Sequence, residues 1–145
     1  MTPTTIVAIL TQARALIERG WTKGASARNQ RERRVDYLDP TAIRWCSVGA
    51  LSCAAHRENV PWEATRPYYD AAAEHLRKSL PVDVAPYDDT DSTIVGYNDT
   101  WHVNKNDILA LFDRAIASAQ LAAAAPAEPE AQPQAAVAEP ELVEV

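Results

Sequence analysis

The sequence predicts a mainly α fold, with one small domain over residues 1–120 and a disordered Ala/Pro/Glu acidic tail over residues 121–145. About four helices and one or two short strands are expected. Three observations predict this. Apolar residues recur at three- and four-residue spacing in four separate stretches, as in helices with one buried face. A chain of 145 residues, 47% hydrophobic, can build one packed core and is too short for two ordinary ones. Beyond Gln120 aromatics vanish and Ala, Pro and Glu take over, leaving too little to bury against the chain entropy.

The first helix is set by Ile6, Ile9, Leu10, Ala13, Leu16 and Ile17, with Gly20 as a left-handed stop. A loop or small hairpin is expected next, joining Ala25–Arg28 to Arg34–Tyr37 through a basic tip. Asp39-Pro40 reads as the N-cap and first position of a second helix. Ile43, Cys46, Ala50, Leu51 and Ala54 would form its apolar line. Gly49 lies inside that helix at about 1 kcal/mol against Ala, which points to a backbone or ring pressing on it.

A third helix is expected from about Pro67 to Ser79, with Tyr68, Ala72 and Leu76 inward. An acidic loop with Asp83, Asp88, Asp89 and Asp91 follows. Ile94–Tyr97 reads as a short strand ending in an Asn98-Asp99 turn. The last helix has the clearest start. Asn104 caps it, Asp107 sits at the third position, and Val103 packs on Ile108 as a staple.

Charge excludes little. The chain holds 14 basic and 20 acidic residues, net −6. Five of the acids and none of the bases lie beyond Gln120, so the first 120 residues stand near neutrality. Bulk charge therefore argues neither for nor against nucleic acid. No apolar run approaches the roughly 20 residues that span a bilayer, so no membrane partner is expected. The N-terminus lacks a basic n-region and a long apolar h-region, and a cytoplasmic location is expected.

Gly20-Trp21-Thr22-Lys23-Gly24, Ala27-Arg28-Asn29, Trp45-Cys46-Ser47-Val48-Gly49-Ala50-Leu51, Tyr97-Asn98-Asp99 and the Asp107–Ala115 helix follow in that order. Together they resemble a family of small bacterial proteins, notably from actinomycetes, and their phages, a domain of unknown function. The likeness covers roughly residues 6–118, and Trp-Cys-x-x-Gly-Ala-Leu is its most specific element. The resemblance implies a small mainly helical domain and brings no catalytic residue with it. The arginine-rich tip and the tail look particular to this chain, and His102 falls outside the family pattern.

Cys46 invites a nucleophile reading, with His102 as base and Asp99 as orienter, in a small cysteine-dependent hydrolase. On the expected second helix, however, it sits on the apolar line two turns past the cap, where a free Cys behaves as a small hydrophobe. A Cys46–Cys53 disulfide would span about 10 Å of helix, beyond reach. Cys53 and His56 are spaced for a shared metal but lack a second close pair, and Asp89–Thr93 lacks the glycine and glutamate of a calcium loop. No metal and no cofactor is expected.

Arg28–Arg34 holds four arginines in seven residues. Trp21 or Tyr37 beside it could stack on bases, which keeps a nucleic-acid-associated factor open as an alternative. No nucleic-acid fold pattern accompanies it, and an acidic protein surface fits the charge equally well. The favoured reading is a non-enzymatic accessory or interaction protein of bacterial or phage cytosol. Its expected partner is a protein, bound through Trp21, Lys23, Arg28, Arg31, Arg33 and Arg34.

Overall fold

In the computed structural model, which describes residues 3–56 and 60–125, the chain is mainly helical. Five helices surround one core, with a small sheet at one end: α1 Pro3–Arg19, β1 Ala27–Arg28, β2 Arg34–Val35, β3 Arg44–Trp45, α2 Ser47–Ala55, α3 Trp62–Lys78, α4 Thr90–Asn98 and α5 Lys105–Ala124. No helix among the described residues is long and apolar enough to cross a membrane.

The outer helices follow their periodicity. Ile6, Ile9, Leu10, Ala13 and Ile17 of α1 are buried against Ile108, Leu111, Phe112 and Ala115 of α5. At the start of α5, Asn104 Oδ1 accepts from Asp107 N at 3.0 Å, and Asp107 Oδ2 accepts from Asn104 N at 2.9 Å. Val103 and Ile108 are both buried beside this box. The helix continues to Ala124, four residues past Gln120. The Ala/Pro/Glu segment from 126 onward lies outside the described residues, and the expectation of disorder lies there with it.

Three elements differ from expectation. Asp39 caps no helix. Its Oδ1 accepts from Thr41 N and Thr41 Oγ1 at 2.8 and 2.6 Å, a local turn that competes with helix initiation. The next residues form β3, and α2 begins only at Ser47, with Cys46 as its N-cap. Ile43 is accordingly 41% exposed rather than part of an apolar line. The expected strand at Ile94–Tyr97 is instead α4. Asp89 caps this helix through Ser92 N at 2.7 Å, and packing overrides the β preference of Thr93-Ile94-Val95. The third helix starts at Trp62 rather than Pro67, so Pro67 sits inside it. Tyr69, more than Tyr68, is the buried ring there.

The sheet order is β2-β1-β3, antiparallel throughout, with Ala27 opposite both Val35 and Trp45. Two glycines let this sheet close on the helices. A Cβ on Gly49 would stand 2.0 Å from the Ser26 carbonyl oxygen, the same oxygen that accepts from Cys46 N at 3.1 Å. A Cβ on Gly20 would stand 2.1 Å from the Ile43 carbonyl oxygen. Gly20 is not left-handed; close backbone approach, not helix termination, calls for glycine there.

Candidate functional site

The sequence elements singled out above meet at one buried side chain, Asn98, at the C-terminal end of α4. Its Oδ1 accepts from Trp21 Nε1 at 2.8 Å, Ser47 N at 3.0 Å and Ser47 Oγ at 2.7 Å. Its Nδ2 donates to Thr22 O at 3.1 Å and to Asp99 Oδ1 at 2.9 Å. Asp99 Oδ1 also accepts from Gly24 N at 3.1 Å. Asn98 and Ser47 have no solvent exposure, so the amide joins the 21–24 segment, the start of α2 and the end of α4 in a dry setting.

Trp21, Lys23 and Arg28 belong to this network. Lys23 Nζ lies 5.5 Å from the Trp21 ring centroid and donates to Thr100 O at 2.7 Å. Arg28 donates from Nε to Thr22 Oγ1 at 2.9 Å, from one terminal nitrogen to Glu32 O at 3.0 Å and from the other to Lys23 O at 3.1 Å. All three side chains, two cations and one ring, act within the fold.

Arg31, Arg33 and Arg34 lie beyond it, exposed on the hairpin between β1 and β2. The hairpin is stiff. Asn29 Oδ1 accepts from Arg31 N and Arg33 N at 2.9 and 3.1 Å, and Asn29 N donates to Arg33 O at 3.0 Å. Glu32 takes a left-handed φ of 63°, held by Arg28 on its carbonyl and by Arg44 at 2.7 Å from its carboxylate. The guanidinium groups of Arg31, Arg33 and Arg34 make no ion pair or hydrogen bond among the described residues. Beside Arg31 a shallow hollow of about 420 Å³ is floored by Pro40 and the exposed Ile43.

Cys46 and Asp99 line a small hollow together; His102 lines another, with Tyr97 and Asp83. His102 is exposed and stands edge-on to Trp101, ring centroids 5.4 Å apart. The Cys46 thiol accepts from Gly49 N at 3.3 Å, and burial raises its pKa, with part of the effect reversed by the Gly49 and Val48 amides. Among the described residues no hydrogen bond or ion pair joins Cys46, Asp99 and His102 to one another. Cys46 and Cys53 are both free thiols.

The reading of single elements missed Asn98 and Ser47. An Asn-Asp pair signals a turn locally, and nothing near it in sequence announces partners 51 to 77 positions away.

Fold and site define a class: a small mainly helical domain locked by a buried asparagine, with a stiff arginine hairpin projecting from it. The chain belongs to DUF6197, a family of unknown function whose profile matches residues 1–118. No curated protein and no solved structure matches the chain.

Proposed function

We propose that the chain is a non-enzymatic accessory or interaction protein of bacterial or phage cytosol that docks on an acidic protein surface through Arg31, Arg33 and Arg34. One observation carries this reading. Three guanidinium groups without a partner among the described residues stand on a hairpin whose backbone is braced by Asn29 and Arg28. A braced loop loses little freedom on binding, and arginine forks match carboxylates in bidentate geometry. The exposed Ile43 beside Arg31 adds the apolar ground that interface cores favour.

The alternatives find less support. Base stacking would call on Trp21 or Tyr37, yet Trp21 is tied to Asn98 and Tyr37 is half-buried, its carbonyl accepting from Trp45 Nε1 at 3.2 Å. A cysteine hydrolase would need a thiolate at Cys46, where burial favours the thiol. The test is affinity capture with the full chain beside the Arg31→Ser/Arg33→Ser/Arg34→Ser variant, with Cys46→Ser as control. The triple variant should lose the captured partner and the control retain it. Equal capture by all three proteins would refute the reading.

A further inference from the structure

Three hollows adjoin one another around α4. Tyr87 and Gly96 wall the first two, and Val95 and Asp99 are shared by the second and third. Asp91, Ser92, Val95, Gly96 and Asp99 recur at helical spacing and give the second and third a common face. The first turns past Gly96 to Tyr97 and Thr100, so the adjoining hollows make a groove that winds around the helix. The Tyr87 ring lies across it; a Cβ on Gly96 would stand 2.8 Å from that ring. Val82 and Trp101, the two most exposed large hydrophobics among the described residues, adjoin in sequence the lining residues Asp83 and His102.

The groove is acidic, and three of its carboxylates are fixed in place. Asp91 Oδ1 accepts from Tyr69 OH at 2.7 Å, Asp99 Oδ1 from Gly24 N, and Asp107 Oδ2 from Asn104 N. Each commits one oxygen to the fold, and no hydrogen bond or ion pair among the described residues engages the other. Asp83 is exposed at the end of the groove and is not ion-paired. No lysine or arginine lines any of the three hollows; the Lys23 ammonium nearby is directed to the Thr100 and Trp101 carbonyls. Fixed carboxylates in a groove that also holds a tyrosine ring fit a guanidinium, which takes oxygens at its edge and a ring on its plane.

The chain carries the matching group itself. Arg31, Arg33 and Arg34 lie on an exposed hairpin and pair with none of these acids within the molecule. We infer that the groove along α4 receives the Arg31–Arg34 hairpin of a second copy of this chain. This rests on the reading of the hairpin as a docking element and names a partner for it. Tip and groove are different patches. One pairing leaves a free tip and a free groove, so the assembly grows with concentration unless two copies exchange tips and close.

Sedimentation velocity on the full chain tests this, at salt of about 0.05 M and about 0.5 M, which shortens electrostatic reach several-fold. At low salt the mean mass should rise with concentration to at least twice that of the monomer, and high salt should reverse the rise. Arg31→Ser/Arg33→Ser/Arg34→Ser and Asp83→Lys alter exposed side chains outside the fold's hydrogen bonds. Each alone should weaken association about tenfold or more. Mixed one to one, the first supplies an intact groove and the second an intact tip, and heterodimers should reappear. A wild type that stays monomeric throughout overturns the inference, while the capture experiment still decides the hairpin's role towards other proteins. Association that survives in both variants, or a mixture that fails to pair, overturns it as well. A monomeric chain that nonetheless binds a labelled oligoarginine peptide would assign the groove to a foreign basic segment and also overturn it.

Discussion

Trp21 Nε1 and Asn98 Oδ1, 77 residues apart in sequence, lie 2.8 Å from one another, and the same oxygen takes both donors of Ser47. The amide thus holds the start of α2 and the base of the hairpin to the end of α4. Asn98→Ala would leave several buried donors and the Thr22 carbonyl without a partner. Each such group costs about 1–3 kcal/mol, so a loss of roughly 3–5 kcal/mol is expected in urea unfolding. A loss below about 1 kcal/mol would mean that the network is not a stabilising hub.

Gly49 gives an opposed pair of effects. Alanine is the better helix former by about 1 kcal/mol. Its Cβ would nevertheless stand 2.0 Å from the Ser26 carbonyl oxygen, which is backbone and already bonded to Cys46 N. Gly49→Ala should therefore lower stability by roughly 1–3 kcal/mol, with Gly49→Leu at least as severe. An unchanged or raised thermal midpoint would place this helix start further from the sheet.

Burial holds the Cys46 thiol above its ordinary pKa. At neutral pH iodoacetamide should modify it far more slowly in the folded protein than in the urea-unfolded chain. Cys46→Ser retains a side-chain acceptor for Gly49 N at an N-cap position where serine is favoured, and should be tolerated within about 1 kcal/mol. Rapid alkylation of the native thiol would reopen the nucleophile reading.

Tyr69 links stability to alkaline pH. Burial first, and then the neighbouring Asp91 carboxylate, raise its phenol well above the ordinary value. The folded chain keeps this proton where the unfolded chain releases it. Its contribution is therefore complete below about pH 10 and declines as pH rises beyond that. Tyr69→Phe, which loses the bond to Asp91, should cost about 1 kcal/mol at neutral pH and flatten the alkaline decline. An identical decline in both proteins would assign it to another group.

Much of this fold is legible locally. The α1 and α5 stripes, the Asn104–Asp107 box and the close approach at Gly49 all follow from spacing and cap chemistry within a few residues. The hairpin follows from its basic tip. What escaped is set by distant partners. Asp39 reads as a cap until Arg28 O takes Ile43 N and draws the following residues into the sheet. Thr93-Ile94-Val95 reads as strand until burial of Ile94 and the Asp89 cap hold it as helix. The groove along α4 was invisible for the same reason, since it depends on that strand being a helix. At the site, Trp21, Lys23, Arg28, Arg31, Arg33 and Arg34 were read as one group, and only tertiary bonds divide them.

Arg28 thus belongs to the fold, whereas Arg31, Arg33 and Arg34 are free to dock. Thermal melts of Arg28→Ser and of Arg31→Ser/Arg33→Ser/Arg34→Ser, side by side at neutral pH, test it most directly. Arg28→Ser removes three bonds to Thr22, Lys23 and Glu32 and should lower the midpoint by several degrees, at about 3–5 °C per kcal/mol for a domain of this size. At a protein concentration where the chain is monomeric, the triple variant should melt where the wild type does, or slightly higher as like charges are removed. A triple variant that melts as low as Arg28→Ser would show that these arginines hold the fold together, and would contradict the account.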